Sequence, residues 1–241
     1  MCQIYIVSGL AGSGKTTLTA QFKEAATKAG KRVYIVNLDP AATATPYVVN
    51  LDIRDTVNYK RLMEDRKIGP NGAILLSLGM FLTKIHQLDS VLRTKCATND
   101  YIIIDTPGQI EMFTISASGE LFTKMLKKIA EELSNVSLSL LYLVDNVKRE
   151  KSTAFLSSNL LQACSIKYRM DVPIQLVFTK CDINGNKFSM EGNEGDRNAD
   201  SYADSLHDEV ITTFSSLFSS FTQHYVSKGK PETLNTLLRN I

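Results

Sequence analysis

The chain has 241 residues, 44% hydrophobic and 22% charged, a globular composition at a length that suits one large α/β domain rather than a disordered or fibrous chain. Its 27 basic and 25 acidic residues leave a formal charge of +2, which gives no net field for drawing in nucleic acid or an anionic membrane as a primary ligand. Cys2, Cys96, Cys164 and Cys181 are scattered and form no C-x-x-C pair, so reduced thiols in a cytosolic setting are expected, not zinc or a disulfide framework.

Met1 leads directly into Cys2-Gln-Ile-Tyr-Ile-Val7 with no basic region and no long apolar run, so neither a signal peptide nor a transmembrane span is expected. Short β-branched runs then recur: Ile4 to Val7, Val33 to Leu38, Tyr101 to Ile104, Leu138 to Val144 and Ile174 to Phe178. Each has the near-continuous apolarity of a strand buried on both faces, and helical patterns separate them. The alternation predicts an α/β fold with a mostly parallel, doubly wound sheet and helices on both faces. Lys15 to Ala29 is the first crossover helix, stopped by Gly30.

The stretch from about 52 to 96 breaks this rhythm and reads as a helical insertion. Asp55 is placed to cap a helix over Thr56 to Asp65, and the turn Gly69-Pro70-Asn71 starts a long helix after it. In that helix Ile74, Leu78, Phe81, Ile85, Leu88 and Leu92 share one stripe, either a core face or a seam for another subunit. Locally, Gly69 permits the turn, Pro70 fixes φ and Asn71 caps the helix. Ile183 to Asp204 is rich in Asn, Gly, Asp and Ser and is expected to be a solvated excursion; Val210 to Phe221 and Thr233 to Ile241 read as closing helices. No second domain is evident, so residues 1–241 are read as a single unit. His86, His207 and His224 show no metal-like grouping and are assigned to surface or helix-packing positions.

Gly9-Leu-Ala-Gly-Ser-Gly-Lys-Thr16 matches G-x-x-x-x-G-K-[ST] between a predicted strand and a predicted helix. In that context Gly12, Ser13, Gly14, Thr16 and Thr17 cradle phosphates, Lys15 reaches the outer ones, and the Thr16 hydroxyl ligates Mg²⁺. Ile102-Ile-Ile-Asp-Thr-Pro-Gly-Gln-Ile-Glu111 brings Asp105 to the carboxyl edge of the sheet, where it can hold Mg²⁺ through water, while Gly108 lets the backbone approach the terminal phosphate. Asp39, at the end of the second strand, faces the phosphates; with Gln109 and Glu111 it is a candidate for orienting the attacking water, the alternative for Asp39 being a cap on the Pro40 turn. Val177-Phe-Thr-Lys-Cys-Asp182 resembles the N-K-x-D element of GTPases, with Thr179 in place of Asn, Lys180 along the base and Asp182 reading guanine. Ser227, in Val226-Ser-Lys-Gly229, is a candidate for the loop behind the base.

Taken in order, Asn37-Leu-Asp-Pro-Ala41, Asp52-Ile-Arg-Asp55, Gly69-Pro70-Asn71, Asp105-Thr-Pro-Gly-Gln-Ile-Glu111, Ser116-Ala-Ser-Gly119 and Thr179 to Asp182 resemble the GPN-loop GTPases, relatives of the dimerising SIMIBI class. The surroundings of Ser77, Leu78 and Phe81 look closest to the eukaryotic branch associated with RNA polymerase II assembly and nuclear import. The resemblance implies GTP as substrate, GDP as product, Mg²⁺ as cofactor and a homodimer or a heterodimer with a paralogue. It also implies polymerase subunits or chaperones as partners, and a cytoplasmic protein that shuttles to the nucleus. It places Asn71 in trans, near the partner subunit's terminal phosphate. Leu10 stands where some SIMIBI proteins carry a signature lysine, and Arg54 is a candidate arginine finger in cis. A P-loop kinase for a small molecule or nucleic-acid end, and a weakly hydrolysing nucleotide-bound scaffold, remain open as alternatives.

Overall fold

The sheet forms where the sequence concentrates β-branched and aromatic residues. The computed structural model describes residues 1–147, 153–182, 216 and 220–238. Its strands are β1 (Cys2–Gly9), β2 (Val33–Asn37), β3 (Leu51–Asp52), β4 (Tyr101–Asp105), β5 (Val136–Asp145), β6 (Ile174–Thr179) and β7 (Thr222–Tyr225). They lie parallel in the order β3-β2-β4-β1-β5-β6-β7. The chain runs outward from β1 to β2 and β3, returns to β4 beside β1, then crosses to β5, β6 and β7. The carboxyl end of β1 is therefore the switch point where such sheets open a crevice for ligands.

Every residue of β1 and β4 is buried, because both faces of the sheet are covered. Ile4 and Ile6 enter one core and Tyr5 and Val7 the other, as the two-residue period requires. The first core receives α3 (Pro70–Leu82), α4 (Ile85–Thr98), α5 (Glu111–Thr114), α6 (Ala117–Glu132) and α7 (Thr153–Met170). The second receives α1 (Lys15–Lys28) and the closing segment, a 3-10 turn at Pro231–Leu234 followed by α8 (Asn235–Leu238). There the Tyr5 and Tyr101 hydroxyls donate to the carbonyls of Leu237 and Leu238 at 3.0 and 2.8 Å, pinning that segment to the sheet. Among the described residues no helix is long and apolar enough to cross a membrane.

The insertion differs from its sequence reading in four places. Two helices, α3 and α4, replace one, parting at Thr83, whose N–H and hydroxyl both turn back to Met80 O. The break keeps the phase of the stripe, so the spacing alone did not reveal it; Ile74, Leu78, Phe81, Leu88 and Leu92 are buried in the first core, with half-buried Ile85 packed on them. Asp55 caps nothing: it closes a 3-10 turn, Ile53–Asp55, and Asn58 caps α2 (Tyr59–Arg66) by accepting from Arg61 N at 3.0 Å. Asn71 is not a cap either. It follows Pro70 inside the first turn of α3, with Gly69 at the cap position and no side-chain cap bond. Gly69 has φ −72° and ψ 171°, open to any residue; the left-handed residue of this turn is Lys67, φ 51°.

Ser116 caps α6 by accepting from Gly119 N at 3.0 Å, and a Cβ on Gly119 would stand 1.8 Å from Phe113 O. Glycine there lets α6 seat on α5. β3 and β7 were not anticipated. β3 has two residues, and β7 reads Thr-Gln-His-Tyr, an edge strand with one buried side chain, His224. His224 holds Gln175 and Thr236 at 2.9 and 3.0 Å, and His86 is exposed. The Ile183 to Asp204 excursion, His207 and most of Val210 to Phe221 lie outside the described residues.

Candidate nucleotide site at the carboxyl edge of the sheet

The turn from β1 into α1 is shaped by glycines. Gly9, Gly12 and Gly14 have φ of 153°, 77° and 95°, and a Cβ on Gly9 would meet Leu143 O at 2.7 Å. Gly14 is the cap residue of α1 in left-handed conformation and offers no side chain, so the first-turn amides of a 14-residue helix face outward with its positive dipole end. Thr16 and Thr17 are exposed there, and Ser13 is buried below them.

Lys15 turns back over this loop. Its Nζ donates to Gly9 O at 2.8 Å, Leu10 O at 3.2 Å and Gly108 O at 2.9 Å. Burial lowers its pKa, opposed by the nearby Asp105, Asp39 and Glu111. Asp105 ends β4 in register with Val7 of β1 and Asn37 of β2. It is 3% exposed, and burial pushes its carboxyl up to about 6, against the pull of Tyr47, Lys15 and the Thr16 hydroxyl. Its Oδ2 accepts from the Tyr47 hydroxyl, while Oδ1 is buried without a hydrogen-bond partner. A hard oxygen without a partner, beside an exposed threonine hydroxyl, is the donor set a magnesium ion takes directly or through water, so these residues fit the cation.

Asp39 accepts from Ala41 N at 2.9 Å, and its Oδ2 lies 4.0 Å from where a Gly108 Cβ would stand. It therefore makes the turn cap weighed from sequence and also lies beside Gly108. Burial raises its carboxyl above the ordinary range, with Ala41 and Gly108 amides, Lys15 and Arg54 opposing. Gln109 is half-buried beside Gly108, and Glu111 is exposed on the first turn of α5.

On the other side of the loop the segment from Thr179 to Asp182 is tied to the turn between β1 and α1. The Thr179 hydroxyl donates to Ser13 O at 2.7 Å. Lys180, at φ 61°, donates to Gly12 O at 2.9 Å and Asp145 Oδ2 at 2.6 Å. Asp182 is exposed and its Oδ1 accepts from Lys228 N at 3.0 Å, which brings the Val226 to Gly229 loop, with Ser227 buried, alongside it. Thr179, Lys180, Asp182 and Ser227 thus share one edge with Gly12 to Thr17, Asp39, Asp105, Gln109 and Glu111.

Two sequence candidates stand elsewhere. Asn71 is exposed at the start of α3, where it contacts no residue of this edge by hydrogen bond. Arg54 is no free finger: its guanidinium holds Asp52 at 2.6 to 3.1 Å and Ala42 O at 2.9 Å. Sequence reasoning missed Asp145, the anchor of Lys180, although a carboxylate at the end of an apolar strand is the same signal that flagged Asp105. It also missed Tyr47 and the Asn37 and Asp52 pair; an isolated tyrosine in a loop carries no such signal.

A glycine-shaped loop at a helix start, a buried lysine and a strand-end carboxylate at the switch point define a P-loop nucleotide-binding protein of the parallel α/β class. The comparisons narrow this. A family described as "Conserved hypothetical ATP binding protein" matches residues 7–241. The chain is 44% identical over 186 residues, 77% of its length, to GPN-loop GTPase 1 of Dictyostelium discoideum, and 43% over 188 residues, 78% of its length, to that of Schizosaccharomyces pombe. These alignments cover 45% and 49% of those two proteins, so the chain spans about half the length of the curated relatives it matches. A crystal structure of a GTPase in apo form from Pyrococcus abyssi superposes with a TM-score of 0.74 at 25% identity, covering 98% of this chain and 96% of that one. The chain belongs to this family, that of the GPN-loop GTPases.

Proposed function

We propose that this chain binds GTP with Mg²⁺, hydrolyses it to GDP and phosphate, and uses the nucleotide state to switch a dimer. The observation that carries the reading is the pair of ties from Thr179 and Lys180 to the phosphate loop. They set Asp182 at a fixed offset from the phosphate cradle. A carboxylate there accepts from guanine N1–H and the 2-amino group; adenine has neither donor in that place. Thr179 supports this position through its hydroxyl, so the missing Asn of the N-K-x-D pattern is no obstacle.

The amides of Gly12 to Thr17 hold the phosphates, and Lys15 exchanges the Gly108 carbonyl for the terminal phosphate's oxygens. Because Lys15 then releases Gly108, the loop from Pro107 to Glu111 responds to that phosphate. Thr16 and Asp105 hold the cation, which when bound neutralises charge building on the phosphate oxygens. Asp39 and Gln109 flank the approach of water, with Glu111 behind them. Burial raises the proton affinity of the Asp39 carboxylate above its ordinary value, which suits it to accept a proton from water.

Arg54 is committed to Asp52, and Leu10 brings no charge to the loop. Positive or polar help from a second subunit supplies what this chain lacks, and the exposed Asn71 is the candidate to deliver it in trans. A homodimer and a heterodimer with a paralogue both fit. The motif resemblance around Ser77, Leu78 and Phe81 implies a role in RNA polymerase II assembly or nuclear import, with polymerase subunits or chaperones as clients, in the cytoplasm with passage to the nucleus. The test is phosphate release from GTP with Mg²⁺, measured alongside sedimentation. Turnover by a species that sediments as a dimer supports the reading; turnover by a persistent monomer removes the dimer from it, and no turnover removes the enzyme.

A further inference from the structure

The loop between β2 and β3 is held at both ends. At its start Asn37 Nδ2 donates to Asp39 O at 3.2 Å and to Asp52 Oδ1 at 3.0 Å, and Asn37 Oδ1 accepts from Asp39 N at 3.1 Å. Arg54 extends this clasp to Ala42 O. At its end Asn50 makes two bonds to Ile35: Ile35 N donates to Asn50 Oδ1 at 2.8 Å, and Asn50 N donates to Ile35 O at 2.9 Å. Between Ala41 and Asn50 only Tyr47 is buried. Its ring packs in the core on the α1 side, and its hydroxyl donates to Asp105 Oδ2.

A phenylalanine would fill that core space as well as a tyrosine, and a buried hydroxyl is costly unless it has a partner. The hydroxyl's partner is the carboxylate that the site would offer to a cation. We propose that Tyr47 is a positioning residue for the metal site: by engaging Oδ2 it fixes the carboxylate of Asp105 and leaves Oδ1, buried and without a hydrogen bond, as the oxygen offered to magnesium. Partners of this kind hold a ligand's orientation and are felt in metal affinity. A second consequence is that the position of the 38–50 loop and the grip on the cation are coupled, since the loop carries the hydroxyl. The inference rests on the magnesium and nucleotide reading above.

The experiment is a titration of Mg²⁺ against GDP affinity, by calorimetry, for the wild type, Tyr47→Phe and Tyr47→Leu, with Mn²⁺ binding followed by electron paramagnetic resonance. Tyr47→Phe should need roughly tenfold more Mg²⁺ to reach half its effect and bind Mn²⁺ correspondingly less tightly, with metal-free GDP affinity held. Tyr47→Leu should show the same shift, although it also loses ring packing and so melts earlier. In an Asp105→Asn background, Tyr47→Phe should shift nothing further. An unchanged Mg²⁺ midpoint in Tyr47→Phe overturns the inference, whatever its melting temperature, and leaves the nucleotide reading standing. A wild type whose GDP affinity ignores Mg²⁺ removes the nucleotide and metal reading itself, and the inference with it.

Discussion

Thr179→Val isolates the tie between the two halves of the site. Valine keeps the shape of threonine, so no cavity opens; what goes is a hydroxyl that donates to Ser13 O at 2.7 Å, with Val144 O at 3.3 Å, on a residue only 5% exposed. A net hydrogen bond is worth about 1 kcal/mol, and leaving a buried carbonyl short of its partner adds about 1 to 2 kcal/mol more. The sum, about 2 to 3 kcal/mol, lowers the melting temperature of a chain this size by about 4 to 12 °C. Ser13 belongs to the loop proposed to cradle phosphate, so on that reading part of this energy is preorganisation for nucleotide. Affinity for GTP and GDP should fall together, by up to about tenfold, since 1.4 kcal/mol is one decade. Calorimetric melting and nucleotide titration on the same preparations read both quantities. A variant that melts within a degree of the wild type and binds nucleotide equally well would show that Thr179 holds nothing, and that the base segment is placed by Lys180 alone.

Three further expectations follow from the geometry. Asp105 keeps its proton to about pH 6 in the folded protein and loses it near 3.8 when unfolded, so the folded state binds more protons between these values and stability declines as pH rises through that window. Asp105→Asn should therefore raise the metal-free melting temperature at pH 7, by up to about 3 kcal/mol in stability, with the gain gone below about pH 4; a gain that persists in acid would refute the linkage. Gly119→Ala forces a Cβ against Phe113 O and should cost about 3 kcal/mol or more in chemical denaturation, and a near-neutral result would mean α6 can slide on α5 at little cost. Asp39→Ala and Gln109→Ala should each slow GTP turnover by about a hundredfold, with nucleotide affinity nearly kept; loss of binding in place of turnover would assign them to holding nucleotide.

The parallel sheet was legible because its central strands are buried on both faces, so β1, β4, β5 and β6 carry near-continuous apolar runs rich in β-branched residues. β7 and β3 escaped for the converse reason. An edge strand of Thr-Gln-His-Tyr and a two-residue pairing have too little buried surface to print a pattern. The turn from β1 into α1 was legible because its backbone geometry favours glycine at fixed places, as the positive φ at Gly9, Gly12 and Gly14 shows. Gly69 was over-read by the same logic: glycine there meets an ordinary conformation, and the left-handed position fell to Lys67. Tyr47 could not be read at all. Its place comes from two anchors, Asn37 to Asp52 and Asn50 to Ile35, each joining residues 15 apart in the chain. The helix stripe from Ile74 to Leu92 picked out the side chains that face the first core, with Ile85 only half-buried, and was blind to the break at Thr83, because a single interruption that keeps phase leaves periodicity intact.

The central claim is that Asp182, set against the phosphate loop through Thr179 and Lys180, chooses guanine. Titrating the purified chain with GTP and with ATP at saturating Mg²⁺, beside Asp182→Asn, tests it most directly. The account predicts a preference for GTP of at least about a hundredfold, abolished in the variant, whose amide suits xanthine's 2-oxo group better than guanine's amine. Equal affinity for the two nucleotides, or tighter binding of ATP, would contradict it.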